Sequence, residues 1–190
     1  MSSAQKNICQ ILADIKEAWS KSSNLHVFHA SNRIPDECTK TLATNPPPIS
    51  HTCPEFQSLM NIEWRKSTEL QLQKDPTLES KRFCTIVDFK DFKMGFVYMG
   101  PYTNFPEHAH TPEEIYHVVA GKCLRISGSI SGINPVEVGD IWFHESKESH
   151  GLKTEDSSVL IAWAWFGNLD GPYYFCDAPK RIIDCNYVSK

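Results

Sequence analysis

The residues best suited to chemistry lie close together in the middle of the chain. His108, His110, Glu114 and Tyr116 all fall at even-numbered positions. Side chains of a β-strand alternate between faces with a period of two, so the two histidines would point the same way, as would Glu114 and Tyr116. Pro112 lets the chain turn between the two pairs. Two imidazoles and a carboxylate on one side form a suitable first shell for a divalent metal.

A fourth ligand could come from His150, which ends the segment beginning at Gly139. Imidazole and carboxylate ligands suit Zn, Fe, Mn, Ni and Co, so the residues predict one divalent transition metal without specifying the element. His117 is one residue out of phase with Tyr116 and is predicted to face away from the site.

Composition narrows the class of protein. The chain has 190 residues, which suits one domain with a hydrophobic core, and a net charge of −4 without a basic stripe. These features argue against nucleic acid and membrane partners. No apolar run is long enough to span a membrane, and charges interrupt the N-terminus where a signal peptide would be apolar. Seven cysteines, an odd number without a C-x-x-C pair, predict reduced thiols in a cytoplasmic protein.

The first part of the chain is predicted to be helical. Apolar residues recur at helical spacing over residues 3–22, which predicts a helix packed on the main core. Five prolines between residues 33 and 54 predict a connecting loop. A second helix is predicted over residues 55–73, with an apolar face formed by Phe56, Leu59, Met60 and Trp64, and ended by Pro76. Residues 1–80 are therefore predicted to form a helical extension.

The pattern changes to short strands after Lys81. β-Forming residues predict strands over 83–89, 95–100, 115–120, 123–126, 136–138, 141–143 and 159–166. Glycines are predicted to mark the turns, at positions 121, 128, 132, 139 and 167. Many short strands separated by turns predict a mainly β barrel or sandwich over residues 81–190.

The spacing of the candidate ligands resembles the cupin superfamily. His108-x-His110, Glu114 and Gly121 are spaced as in the first cupin motif, and Gly139 and His150 match the ends of the second. The resemblance implies a single-domain cupin, a double-stranded β-helix or jelly-roll barrel. It also implies that His150 is the fourth metal ligand, with His144 as the alternative.

A narrower resemblance is to the cupin-type dimethylsulfoniopropionate (DMSP) lyases. Glu-Glu114-Ile-Tyr116-His-Val-Val-Ala-Gly is similar to the stretch that carries that family's metal-binding glutamate and catalytic tyrosine, and His150-Gly-Leu-Lys-Thr resembles its second motif. The resemblance implies a metal-dependent β-elimination of DMSP to dimethyl sulfide and acrylate. Tyr116 would act as the general base, and a homodimer is plausible by family likeness.

A sulfonium group is a cation without a hydrogen-bond donor, so aromatic faces are its natural binding partners. The candidate substrate-binding residues are accordingly aromatic: Tyr98, Tyr102, Trp142, Trp163, Trp165, Tyr173 and Tyr174. The same ligand set would serve another metal-dependent cupin enzyme, such as a dioxygenase or an isomerase acting on a small carboxylate or thiol. A non-catalytic cupin that binds a small molecule is the third hypothesis.

Overall fold

A computed structural model describes residues 6–37, 44–49, 53–127, 133–177 and 181–185. Its helices are α1 Ile8–Ser20, α2 Leu25–Ser31 and α3 Glu69–Lys74, with 3₁₀ helices at Pro54–Asn61 and Pro76–Ser80. The strands are β1 Arg65–Lys66, β2 Lys81–Phe89, β3 Phe92–Met99, β4 Asn104–His110, β5 Glu113–Ser127, β6 Ile133–Glu137, β7 Ile141–His144, β8 His150–Lys153, β9 Val159–Phe166, β10 Tyr173–Asp177 and β11 Arg181–Cys185. The predicted turns at Gly128 and Gly132 lie outside the described residues.

Helix α1 confirms the predicted N-terminal helix over its described residues. It begins after Asn7, whose side chain accepts a hydrogen bond from the backbone N–H of Gln10 over 2.9 Å. Its buried face carries Ile8, Ile11, Leu12, Ile15 and Trp19. The Trp19 indole Nε1 donates to Nδ1 of His117, a buried residue of β5, over 3.3 Å. His117 therefore faces the helix and not the ligand side of β5, as its phase predicts.

The predicted helix over residues 55–73 is wrong. The segment contains the 3₁₀ helix Pro54–Asn61, the extended pair Arg65–Lys66 and the separate helix α3. Thr68 starts α3 through a capping box: its side chain accepts from the Gln71 N–H, while the Gln71 side chain accepts from the Thr68 N–H. Helix α2 was not predicted either, and it begins at a similar cap on Asn24. At Thr68 the local cap outweighs the apolar spacing that predicted one continuous helix.

Two antiparallel sheets share the long strand β5. The first half of β5 pairs with β7 and β9, and β3, β2 and β1 follow outward from β9. The second half pairs with β6 and β8, and β4, β10 and β11 follow outward from β8. The result is a mainly β fold in which the sheet curls over one interior.

The predicted turn at Gly121 is absent, because β5 runs unbroken through it. Gly121 has a φ of +75°, and the register opposite β9 shifts between Val118 and Ala120. An added Cβ at Gly121 would lie 2.1 Å from the carbonyl oxygen of Ser158. Glycine therefore allows a bulge at which β5 bends from one sheet into the other, instead of a chain reversal.

The strands β3 and β9 are buried on both faces. Phe96 and Ala162 belong to a core beneath the N-terminal helices, whereas Val97 and Trp163 belong to a core inside the barrel. The N-terminal segment thus covers one face of the first sheet, and the other face lines the interior. Among the described helices, none has the length and apolar character needed to cross a membrane.

Candidate metal centre

Four buried polar side chains converge inside the barrel. His108 and His110 come from β4, Glu114 from β5 and His150 from the start of β8. Their possible ligand atoms all lie within 4.8 Å of one another. His108 and His150 are direct cross-strand partners, so β4 and β8 present both imidazoles on one face. The fold therefore brings together the four residues that the sequence singled out.

Each of the three imidazoles is oriented by a backbone carbonyl. Nδ1 of His108 lies 2.9 Å from the Pro106 oxygen, Nδ1 of His110 lies 2.9 Å from the Pro112 oxygen, and Nδ1 of His150 lies 2.8 Å from the Glu148 oxygen. A carbonyl oxygen only accepts, so each Nδ1 carries the proton and donates. The lone pair of each neutral ring is then on Nε2, the atom available to a metal.

The carboxylate of Glu114 faces two of these lone pairs. Its Oε2 lies 3.0 Å from Nε2 of His110 and 2.9 Å from Nε2 of His150. Nε2 of His150 is buried without a hydrogen-bond partner in the described part of the chain. Two neutral imidazole lone pairs and a carboxylate oxygen repel one another unless a proton or a metal cation lies between them. The donor set therefore fits a cation.

Electrostatics favour the ligand-competent protonation states. Burial opposes ionisation of Glu114, but a proton shared with His110 or His150 outweighs burial and holds the pKa of the carboxyl well below its usual range. A metal cation in place of that proton would act in the same direction. Burial, followed by the nearby His150 and His110, lowers the pKa of His108 well below its ordinary value. At neutral pH the carboxyl is thus ionised and His108 is neutral, as metal binding requires.

His144, the alternative fourth ligand, lies behind the cluster. Its ring stacks on that of His150, with centroids 4.0 Å apart, and its Nε2 accepts a hydrogen bond from the Trp142 indole over 2.8 Å. Burial, followed by His150, lowers the pKa of His144 to about 3. The neutral ring is outside the four converging residues and supports His150 from one side.

A cavity of about 400 Å³ opens beside the four residues. Tyr116, Trp163, Trp165 and Tyr173 line it, together with His108, His110 and Glu114. The remaining sequence-predicted substrate residues do not line it. Tyr98 is buried beneath the N-terminal helices, Trp142 packs edge-on against Tyr116, Tyr174 is half-buried in β10, and Tyr102 is 72% exposed.

Tyr116 stands next to the cluster on the same face of β5 as Glu114. Its ring centroid is 5.9 Å from that of His150, in an edge-on arrangement. Burial, followed by the charge of Glu114, raises the pKa of the Tyr116 hydroxyl well above its ordinary value.

The sequence did not single out Lys81, which also lines the cavity. A lysine just before a predicted strand resembles an ordinary solvated charge, whereas in the structure Lys81 is 3% exposed. Phe105 lines the cavity too and stacks on His108, with ring centroids 4.3 Å apart.

Comparison with solved structures identifies the fold. A chain from the crystal structures of the DMSP lyases RdDddP and RnDddQII aligns with a TM-score of 0.68 at 20% identity, covering 89% of this chain and 97% of its own. The DMSP lyase DddQ from Ruegeria pomeroyi DSS-3 aligns with a TM-score of 0.65 at 18% identity, covering 90% and 98%. A sugar phosphate isomerase of the cupin superfamily from Silicibacter pomeroyi aligns with a TM-score of 0.57 at 15% identity, covering 68% and 85%.

The fold is thus a cupin, which confirms the predicted fold class. A sequence model of the dimethylsulfoniopropionate lyase family matches residues 56–161, more than half of the chain. The chain belongs to the DMSP lyase family, as its motifs suggested. Among curated proteins, none matches the sequence significantly.

Proposed function

We propose that this protein is a metal-dependent carbon–sulfur lyase that cleaves DMSP to dimethyl sulfide and acrylate. Family membership supports the substrate class. The single observation that carries the chemistry is the convergence of His108, His110, Glu114 and His150 beside a cavity that Tyr116 also lines. These four residues would hold one divalent transition metal. When bound, the metal would supply Lewis-acid stabilisation of negative charge that develops on the substrate carboxylate.

Tyr116 is the proposed base of a β-elimination. Its phenolate oxygen would take the proton from the carbon next to the carboxylate. The electron pair of that C–H bond would form the new carbon–carbon double bond, and the C–S bond would break with its electrons on dimethyl sulfide. Burial and the charge of Glu114 both oppose the phenolate, so a cation that balances Glu114 would favour its formation.

The aromatic wall of the cavity is suited to the sulfonium end of the substrate. The indoles of Trp163 and Trp165 lie 5.6 Å apart between ring centroids, and Tyr173 stacks near His108 at 5.0 Å. Electron-rich ring faces attract a cation that cannot donate a hydrogen bond.

Headspace detection of dimethyl sulfide tests this function. Purified protein is loaded separately with Zn, Fe, Mn, Ni or Co and given DMSP, next to Tyr116→Phe and the control Tyr174→Phe, whose ring does not line the cavity. We expect the wild type and Tyr174→Phe to release dimethyl sulfide in a metal-dependent manner. Tyr116→Phe should release none, although it still binds the metal. Full activity of Tyr116→Phe would exclude this residue as the base. If the fully metal-loaded wild type released no dimethyl sulfide, DMSP would be excluded as the substrate. Assays would then turn to isomerase and oxygen-dependent reactions.

A further inference from the structure

Lys81 places a buried amine in the wall of the same cavity. It is the first residue of β2 and is 3% exposed. Phe83 and Thr85 follow at alternate positions and line the cavity with it, so this end of β2 faces the interior. A lysine on an interior face requires an explanation, since lysine is among the residues least often buried.

No anionic group of the described residues pairs with this amine. Its close contacts are the rings of Phe105, whose centroid is 4.1 Å from Nζ, and Phe83, at 5.2 Å. Lys93, which lines the cavity as well, forms an ion pair with Asp88 at 3.3 Å. Burial lowers the pKa of Lys81 to about 7, with Glu114 acting in the opposite direction. An anion entering the cavity would therefore favour the charged amine.

The position of Lys81 suits a small ligand that also reaches the cluster. The Phe105 ring contacts both groups, with its centroid 4.1 Å from Nζ and 4.3 Å from the His108 ring centroid. The distance from Nζ to the centroid of the His108 ring therefore cannot exceed the sum of these two distances. The Trp165 ring packs on the other histidine of the pair, with its centroid 4.6 Å from that of His110. The cavity therefore has the Lys81 ammonium near His108 and the Trp165 indole against His110.

We propose that Lys81 binds the carboxylate of a short-chain acid and thereby orients the substrate in the cavity. The identity of the acid as DMSP rests on the proposed function. One carboxylate oxygen would accept a hydrogen bond from the ammonium, while repulsion between two cations would direct the sulfonium away from Lys81, toward Trp165 and Trp163. Lys81 is in this account a positioning residue that determines specificity for anionic substrates.

Binding of propionate to the zinc-loaded protein tests this proposal without turnover. Dissociation constants are measured by calorimetry for the wild type, Lys81→Met and the control Lys66→Met, an exposed lysine of β1 that does not line the cavity, with propionamide as the uncharged probe. We expect Lys81→Met to weaken propionate binding about tenfold or more, because a charge-assisted hydrogen bond is lost, and Lys66→Met to have little effect. Propionamide should bind weakly and equally to all three proteins. Methionine matches the length of the lysine stem and leaves no unpaired amine, so the variant should fold; Lys81→Arg provides a second variant that retains the charge.

The outcomes separate this inference from the proposed function. Propionate binding that depends on Lys81 supports the inference even if DMSP is not cleaved. Equal propionate affinity in the wild type and Lys81→Met overturns the inference even if DMSP is cleaved. Propionate that fails to bind the loaded wild type, or binds no better than propionamide, overturns it too. For an active enzyme, we further expect Lys81→Met to raise KM for DMSP more than it lowers kcat.

Discussion

Trp165 and Glu114 are direct partners across β9 and β5, and the indole Nε1 of Trp165 donates to Oε1 of Glu114 over 2.6 Å. This hydrogen bond fixes one carboxylate oxygen and leaves Oε2 directed at the histidines. The aromatic residue that lines the cavity is therefore also a support for a candidate metal ligand. Loss of such a support typically weakens metal binding although no ligand is removed.

We predict that Trp165→Phe raises the dissociation constant for zinc about 10- to 100-fold, because the carboxylate loses its orienting donor. Competition with a chromogenic chelator measures the change. Trp163→Phe is the matched control, since this neighbouring indole makes no hydrogen bond with Glu114 in the described structure. Equal zinc affinity in Trp165→Phe and the wild type would contradict an orienting role.

His144 and His150, whose rings stack on each other, should differ in their effect on metal content. We predict that His150→Gln loses most bound metal, because the neutral Nε2 that faces Glu114 is removed. His144→Gln should retain close to one equivalent, since His144 is outside the four converging residues and its ring contacts His150 by stacking. Elemental analysis of dialysed protein gives the ratio. If His150→Gln kept its metal and His144→Gln lost it, His144 would be the fourth ligand and His150 would not.

The stability of the metal-free protein should fall as the solution becomes acidic. Burial lowers the pKa of His117 to about 4 in the folded state, whereas an unfolded histidine titrates near about 6.5. Between these values the unfolded chain binds more protons, so the free energy of unfolding decreases as the pH falls from about 6.5 to about 4. This one group accounts for a loss on the order of 3 kcal/mol.

Urea denaturation of metal-free protein at several pH values measures this dependence. We expect His117→Gln to be less stable than the wild type at pH 7 but to show a shallower decline toward acid, since one buried titratable group is gone. His29→Gln, on an exposed position of α2, should retain the wild-type slope. An unchanged slope in His117→Gln would contradict the assignment.

The bend in β5 should be sensitive to any side chain at position 121. Gly121 and Gly139 both have positive φ, but an added Cβ clashes with the Ser158 backbone only at Gly121 and meets nothing within 4 Å at Gly139. We predict that Gly139→Ala costs about 1–2 kcal/mol from backbone strain alone. Gly121→Ala should cost at least about 1 kcal/mol more, from overpacking. Chemical denaturation of both variants tests the difference, and equal costs would contradict it.

Family resemblance selected His150 as the fourth ligand, whereas residue spacing predicted that His108 shares a strand face with His110 and Glu114 with Tyr116, because side chains alternate along a strand. Spacing could not determine which face is interior. Tyr98 has a strand phase that places it beneath the N-terminal helices, and Tyr102 occupies a turn with a φ of +55°. The phase of β3 relative to the barrel depends on its neighbours β2 and β9, and pairing between strands far apart in sequence is not encoded in either strand alone.

The sequence did not predict two further features, the break in the helix expected over residues 55–73 and the burial of Lys81, and both have local causes. Phe56, Leu59 and Trp64 are all buried as predicted, yet they do not lie on one continuous helix, because Ile62 is extended and Thr68 caps a new one. Lys81 escaped notice because a charge at a strand end is usually solvated. Its low exposure and the aromatic rings packed around its amine show that it is enclosed.

The division of the ligands between the two sheets has a mechanical consequence. Glu114 belongs to the half of β5 that pairs with β7 and β9, whereas the histidines belong to β4 and β8 on the other side of the interior. An ion held by all four would act as a non-covalent cross-link that clamps one wall of the barrel to the other. Removal of the ion by a chelator would break this cross-link. Hydrogen exchange should then accelerate at the backbone amides on the facing edges of β4 and β5 before it accelerates in the rest of the barrel.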